Sequence, residues 1–485
     1  MFEQSTQPTK RSFSGISESS ALENNPFYKK GHKPWSWTKF KRFYRRQPTA
    51  VRIAILVSVG FACYYFFSIL TSGSNSSFTG GSSDGFHSRQ RSKTRQRQAK
   101  KIQCDPRATS TIPLPPRVSS NGTHDFDPTV IVISYDGLRA DYLNRGLTPN
   151  ILDVAAKGVK ADYMQPSFPT LTFPNHYTMC TGLYPASHGI VANMFYDPVL
   201  KDDFNYRIPD KSWDPKWWGG EPIWESAVLQ NQRSGVIMWP GGESLRPVRP
   251  TYHVRHKSQT VALDKMKKLL EWVDKPRDLR PTLMMAYVSE VDTAGHFYGP
   301  DSKRCNAALT QVDTALGHLL EGLQARNLDK VVNIILVSDH GMAYVPSPFK
   351  TRTTPQTLRS IYYDDYIDTS ELLLEESLLP HLAIRTKDPK KLDSIYRTLK
   401  EAQVKDKLPF QVFRREEIPE RYNYRDNDRI APVVVFAEPG YVMTRRDMGM
   451  EVVGVHGWDH EMEEMRAIFL ASGPSFPKQS GTSDS

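Results

Sequence analysis

The sequence predicts an α/β fold with a largely parallel sheet flanked by helices, preceded by a single transmembrane helix. Three observations carry that reading: the uninterrupted apolar runs TVIVIS, LMMAYV and VVNIILV, a helical apolar pattern between the last two, and an isolated 18-residue apolar run near the N-terminus. Strands covered on both faces read as continuous apolar runs rather than alternating ones, and helices between them make the crossovers that parallel pairing requires. With 39% hydrophobic and 24% charged residues, a chain of 485 residues can bury a sizeable core, which excludes disorder throughout.

The N-terminal region comes first. Residues 1–101 hold 18 Lys and Arg against 4 Asp and Glu, which leaves 45 against 49 for the rest of the chain. The pI of 9.2 therefore belongs to the head and not to the body, so no stable nucleic-acid complex is expected. Ile53 to Leu70 carries no charge and, at about 1.5 Å per residue, reaches about 27 Å, near the hydrocarbon thickness of a bilayer. Lys39, Lys41, Arg42, Arg45, Arg46 and Arg52 precede it, and TSGSNSSFTGGSSDG follows. By the positive-inside rule this is a type II anchor, with residues 1–52 cytosolic and the body of the chain lumenal or extracellular, in the secretory pathway, the vacuole or at the cell surface. A run this long, beginning so far into the chain, reads as an anchor rather than a cleaved signal peptide. Residues 71–126 read as a flexible stalk, 127–475 as the folded domain and 476–485 as a polar, disordered tail. Asn75-Ser76-Ser77 and Asn121-Gly122-Thr123 are glycosylation sequons, and four cysteines, with Cys63 inside the apolar run, give no disulfide framework.

Within the body, Thr129 to Ser134 runs into Asp136-Gly137, and Thr148-Pro149 supplies an N-cap and an N1 proline for a helix through Ala156. Leu283 to Val288 leads to SEVDTAGH, with Glu290, Asp292 and His296. Leu309, Val312, Leu316, Leu319, Leu320 and Leu323 follow at helical spacing, and Val331 to Val337 runs directly to Asp339-His340. Leu382 to Ile384 and a helix around Leu392 to Leu399 read as a cap or second lobe; His456 lies in GVHGWDH. Function in such a sheet sits beyond the carboxyl ends of the strands, where these polar groups fall. One Asp after a strand is ordinarily a helix cap, and one His ordinarily structural. Three of each together, without Cys, are the inventory of a dinuclear site suited to Zn²⁺, with Mn²⁺ or Fe second.

Between the first two strands lies PSFPTLTFPNHYTMCTGLYPASHGIVAN, residues 166–193. This segment resembles the nucleotide pyrophosphatase/phosphodiesterase family of the alkaline phosphatase superfamily: T-F-P-N-H-Y and T-G-L-Y-P-x-x-H-G-I stand from Thr172 to Ile190. D-G-L-R at Asp136, D-x-x-G-H-x-x-G-P from Asp292 to Pro300, S-D-H-G-M from Ser338 to Met342 and G-x-H-G-W from Gly454 to Trp458 occur in the family's order, as do GGEPIW and WPG. The resemblance implies an alkaline-phosphatase-like sandwich that hydrolyses phosphodiester and pyrophosphate bonds, chiefly of nucleotides, through a covalent phosphothreonine. It implies Thr172 as nucleophile, one Zn²⁺ on Asp136, Asp339, His340 and the Thr172 oxygen, and a second on Asp292, His296 and His456, with Mn²⁺ as the substitute. It further implies that Asn193 and the Phe173 N–H donate to a phosphate oxygen and that the Phe173 ring packs on the substrate. Tyr252 is a candidate for lining a nucleobase slot. The chain departs from the family's usual pattern at Val291, where proline is common, and at Trp458-Asp459-His460, where Tyr-Asp-Asn is common; neither removes a ligand.

Two other readings stand beside this one: a hydrolase of glycerophosphodiesters or other phosphate-ester head groups, and a catalytically silent membrane-anchored binding protein. The complete nucleophile and ligand set disfavours the second, and the lack of a C-x-P-x-R or S-x-P-x-R motif disfavours a sulfatase. His176 and His188 read as hydrogen-bonded supports. Nothing in the sequence specifies an oligomer. The topology is directly testable: protease added to sealed microsomes should trim only the first 50 or so residues. Digestion of the body with protection of the N-terminus would reverse the orientation.

Overall fold

The computed structural model describes residues 118–344, 359–373, 376, 378–448 and 452–476. The expected anchor at 53–70, the basic tail before it, Asn75 and nearly all of the C-terminal tail lie outside these residues. Among the described residues no helix is long and apolar enough to cross a membrane.

Seven strands form the main sheet: β1 (Thr129–Tyr135), β2 (Val159–Lys160), β3 (Ser234–Ile237), β4 (Tyr252–Val254), β5 (Leu283–Val288), β6 (Val332–Val337) and, after the lobe strands β7 to β9, β10 (Phe469–Ser472). Their order is β2-β10-β6-β1-β5-β3-β4. The five strands β6, β1, β5, β3 and β4 are parallel, and β10 and β2 close one edge antiparallel. The sheet is thus largely parallel, as the apolar runs predict.

The two faces of β1 show why its run is uninterrupted. Ile131, Ile133 and Tyr135 point into a core with Met284, Leu309 and Leu316, whereas Val130 and Val132 pack against a second core containing Leu171, Tyr177 and Trp224. The first core is covered by α1 (Pro149–Lys157), α3 (Ala262–Val273) and α5 (Lys303–Gln324), and the second lies beneath α2 (Thr172–Thr181). Between β5 and α5 runs α4 (Glu290–Tyr298). The segment read as a cap or second lobe is a three-stranded antiparallel sheet of β7 (Leu382–Ile384), β8 (Phe410–Arg414) and β9 (Val433–Ala437), in the order β7-β9-β8, with α6 (Leu392–Asp406) packed on it.

Two local expectations need correction. The ordered domain begins before residue 127: Ser119–Ser120 pairs with Asp125–Phe126, Phe126 is buried under the Arg280 guanidinium, and Asn121 Nδ2 donates to Arg326 O at 2.8 Å. One well-packed aromatic and a few hydrogen bonds order a stretch whose composition reads as stalk. The second concerns α1. Pro149 does occupy its first turn, but the Thr148 side chain makes no cap, and its Oγ1 is buried without a partner. The cap comes from α5 instead, where Asp313 accepts from Ile151 N at 2.8 Å and from Asn150 N at 3.2 Å.

Removing that carboxylate leaves buried helix-end N–H groups unsatisfied. Asp313→Ala should therefore lower unfolding stability by about 1–3 kcal/mol, and Asp313→Asn by less. The urea midpoint reads this, and an unchanged midpoint would show that α1 needs no cap from α5.

Candidate active site

The Asp and His residues singled out in the sequence arrive at the same place, whereas Glu290 turns away from it, accepting from Ala262 N at 2.5 Å and facing Lys265 Nζ at 3.7 Å. Asp136 follows β1 directly, and its backbone N–H donates to Val288 O of β5 at 2.8 Å, continuing the ladder. Gly137 then turns the chain with φ +67°, and a Cβ there would lie 3.0 Å from Asp292 Cα, so the close approach of these two segments requires glycine. After β5 the chain enters α4, which puts Asp292 and His296 at i and i+4 on one helix face. Asp339 and His340 follow β6, and His456 follows the short strand Gly454–Val455, which pairs with Ala343–Tyr344.

The six side chains converge. Asp292 Oδ1 lies 3.3 Å from His296 Nε2 and 3.5 Å from His456 Nε2, and the two Nε2 atoms are 3.2 Å apart. On the other side His340 Nε2 lies 3.4 Å from Asp136 Oδ1, 3.0 Å from Asp339 Oδ2 and 3.3 Å from Thr172 Oγ1. The rings of His340 and His456 stack with centroids 3.5 Å apart. Two donor groups result, Asp292/His296/His456 and Asp136/Asp292/His340, with Asp292 common to both.

Hydrogen bonding fixes what these groups present. The Nδ1 atoms of His296, His340 and His456 face the carbonyls of Gly454, Gly341 and Thr170 at 2.7, 2.8 and 2.8 Å. A carbonyl only accepts, so each Nδ1 carries the proton and each Nε2 offers a lone pair to the cluster. Asp136 Oδ1, Asp292 Oδ1 and Asp339 Oδ2 are buried and accept no hydrogen bond. Lone pairs and carboxylate oxygens facing one another without protons between them fit divalent cations. Tetrahedral ligands at about 2.0–2.1 Å from a Zn²⁺ stand about 3.3 Å apart, the separation seen here.

Electrostatics point the same way. Burial, then repulsion from Asp292 and Asp339, raises the Asp136 carboxyl well above the usual range. Burial pushes Asp339 upward too, but the His340 and His176 rings beside it prevail and hold it well below that range. Burial, with His340 adjacent, brings His456 down to about 3, which keeps its ring neutral.

Thr172 is the first residue of α2, half-buried, with the helix N-terminus around it. Leu171, at the cap position, has no side-chain acceptor; Asn193 supplies one, its Oδ1 accepting from Phe173 N at 3.0 Å. The Phe173 N–H, expected to donate to a phosphate oxygen, is thus engaged with Asn193 in this structure. The Asn193 segment is in turn held by Arg429, which donates to Gly189 O at 2.8 Å, Asp197 Oδ2 at 2.7 Å and Trp217 O at 2.7 Å. The Phe173 ring meets Tyr206, Phe204 and Trp218 at centroid distances of 5.2, 6.0 and 6.3 Å, forming an aromatic wall.

Tyr252 is not brought into the site. It opens β4 opposite Gly235, at the amino end of the parallel strands, where its hydroxyl donates to Leu279 O at 2.7 Å and its ring packs 5.9 Å from Trp272. Sequence reasoning missed Tyr287, whose hydroxyl donates to Asp136 Oδ2 at 2.5 Å. The available signal was a phenol inside the buried run LMMAYV, which has to find a polar partner. Tyr206 was missed as well, because a lone tyrosine in a polar hairpin carries no pattern.

A family model described as type I phosphodiesterase / nucleotide pyrophosphatase matches residues 130–459. An uncharacterised pyrophosphatase/phosphodiesterase of Schizosaccharomyces pombe is 42% identical over 373 residues, covering 75% of this chain and 74% of that protein. Ectonucleotide pyrophosphatase/phosphodiesterase family member 3 of Bos taurus is 36% identical over 366 residues, 73% of this chain but only 40% of the longer relative. Among solved structures, an inactive threonine-to-alanine form of murine ectonucleotide pyrophosphatase/phosphodiesterase 5 in complex with AMP superposes with a TM-score of 0.65 at 34% identity, over 72% of this chain and 88% of that one. A match that runs from β1 through the last histidine ligand, together with a relative of 42% identity over most of both chains, shows that this protein belongs to the type I phosphodiesterase / nucleotide pyrophosphatase family and is a hydrolase of phosphodiester and pyrophosphate bonds.

Proposed function

We propose that the chain cleaves nucleotides at their phosphodiester and pyrophosphate bonds, releasing nucleoside monophosphates, with Thr172 as nucleophile and two Zn²⁺ ions as cofactors, and that it does so outside the cytosol on a type II anchor at residues 53–70. The observation that supports it most is the convergence of three carboxylates and three imidazoles on the Thr172 hydroxyl, 3.3 Å from His340 Nε2. Asp136, Asp339 and His340 would hold one ion beside Thr172, and Asp292, His296 and His456 the other. The donor set contains nitrogen and oxygen but no sulfur, which suits Zn²⁺ and admits Mn²⁺. Divalent ions bound there lower the pKa of the threonine hydroxyl and offset the charge of the transferring phosphoryl group.

The chain's own residues do the rest. Thr172 Oγ1 gives up its proton and attacks phosphorus as the bond to the departing pyrophosphate or alcohol breaks, which leaves the nucleoside phosphate esterified to Thr172; water then breaks the Thr172 O–P bond, releasing the nucleoside monophosphate and restoring the hydroxyl. The α2 N-terminus places its positive end toward the anionic phosphoryl group. Asn193 Nδ2, held in place by the bond its Oδ1 makes to Phe173 N, donates to a non-bridging oxygen. Phe173, backed by Tyr206 and Trp218, offers an apolar wall to the ester's second substituent, and a nucleobase or ribose fits that wall by ring contact. The AMP complex of the murine relative supports the nucleotide reading.

Two experiments test this. Thr172→Ala should keep its metal content, because three protein ligands remain, while turnover falls by more than about 10³-fold; Thr172→Ser should retain part of the activity. His456→Ala should instead lose one ion, and equal metal loss in both variants would refute the assignment. For substrate class, the residues flanking Thr172 are Leu171, Phe173, Pro174, Asn175 and His176, with no Arg fork of the kind that suits a dianionic monoester. The purified domain should hydrolyse nucleoside triphosphates between the α and β phosphates, and aryl esters of nucleoside monophosphates, much faster than aryl phosphates. Faster monoester turnover would overturn this, and release of phosphocholine without action on nucleotides would favour the head-group hydrolase.

A further inference from the structure

Behind the cluster stands a layer of side chains that the reaction itself does not use. Tyr287, in β5, donates to Asp136 Oδ2 at 2.5 Å, which leaves Oδ1 of the same carboxylate to face His340 Nε2. His176, fully buried one turn after Thr172, places Nδ1 3.2 Å from Asp339 Oδ2 and 2.9 Å from Thr172 O, while its Nε2 lies 2.9 Å from Ser134 Oγ. A carboxylate and a carbonyl both accept, so Nδ1 carries the proton and Ser134 donates to Nε2. The two braces also brace each other. The Tyr287 and His176 rings meet edge to face with centroids 4.9 Å apart, and Trp239 closes on the far side of His176, its ring at 5.1 Å and its Nε1 donating to His176 O at 3.0 Å. Every one of these contacts reaches the Asp136/Asp339 side. On the other side, the His296 and His456 rings are held by the backbone carbonyls of Gly454 and Thr170.

We infer that Tyr287 and His176 are positioning residues for one of the two cation sites only, the one beside Thr172: both sites have their imidazoles held by backbone carbonyls, and the nucleophile side adds side-chain partners behind its carboxylates. The inference rests on the two-ion reading above. The Tyr287 hydrogen bond to the outer oxygen of Asp136 fixes the rotamer of that carboxylate and the direction of the inner lone pair, and loss of such a partner typically costs about 10- to 100-fold in metal affinity. His176 acts differently: its Nδ1 is hydrogen-bonded to the carbonyl of Thr172 at 2.9 Å and stands 3.2 Å from Asp339 Oδ2, so one ring spaces the nucleophile's turn from the second carboxylate.

The test is a Zn²⁺ titration against a competing chelator on the purified enzyme and its Tyr287→Phe variant, which removes one oxygen and keeps the ring packing. Wild type should bind two ions. Tyr287→Phe should bind one with unchanged affinity and the other about 10- to 100-fold more weakly, and its turnover deficit should shrink as Zn²⁺ is raised. In a His456→Ala background, where only the nucleophile-side ion remains, the same substitution should weaken that ion by the same factor. His176→Asn, which retains an amide donor near Asp339, should lose less of that affinity than His176→Ala. Two ions on Tyr287→Phe at wild-type affinity, or an equal loss at both sites, would overturn the inference and leave the two-ion reading intact. Fewer than two ions on the wild type would overturn both.

Discussion

Three carboxylates face one pocket: Asp136 and Asp339 lie wholly inside it, and Asp292 lies at its edge. Like charges this close repel strongly once water is excluded, and burial adds to the cost. Holding them together is the constraint on which much of the surrounding architecture depends. Parallel pairing of the central strands β1, β5 and β6 delivers the three acids to the same carboxyl end of the sheet. Gly137 permits the chain to pass within contact of Asp292 and gives its N–H to Asp339 Oδ1 at 3.2 Å, and imidazoles then occupy the remaining directions. Among the described residues, Asp136, Asp292 and His340, and Asp292, His296 and His456, are grouped closely enough to hold a metal ion, and a cation there would offset the repulsion among the carboxylates.

What the sequence reveals of this is the part encoded over short range. The apolar runs of β1, β5 and β6 mark strands because each is buried on both faces, and the ligands stand out because each follows its strand within a few residues. The parts not legible depend on partners distant in the chain. Thr148 reads as a cap because a hydroxyl before Pro149 normally is one, but Asp313 reaches the helix end from α5 and displaces it. Tyr252 reads as a site aromatic, yet a three-residue edge strand puts its first residue at the amino end of the sheet, away from the ligands. Phe173 N–H reads as a free donor because nothing in the local sequence shows that Asn193 will fold back to take it.

The two sides of Thr172 have different physical origins. The reacting side is polar and rigid, each imidazole fixed through Nδ1 to a main-chain carbonyl. The opposite side is a stack of rings in which Phe173 rests on Tyr206 and Phe204, themselves carried by the hairpin Met194–Asp197/Asp202–Asn205 and the turn that follows it. Ring contacts of this kind have broad minima and tolerate different substituents, whereas the ligand cluster tolerates very little displacement. Under the proposed function a division of labour follows: the cluster would set which bond can break, and the wall which molecule brings that bond.

Arg429 gives that division a mechanical footing. One guanidinium in the segment before β9 grips the chain at Gly189 and at Asp197, on either side of Asn193, and also reaches Trp217. The smaller lobe therefore works as an abutment: its arginine ties down the chain on both sides of Asn193, so the setting of the Asn193 amide draws on a residue more than two hundred positions away along the chain.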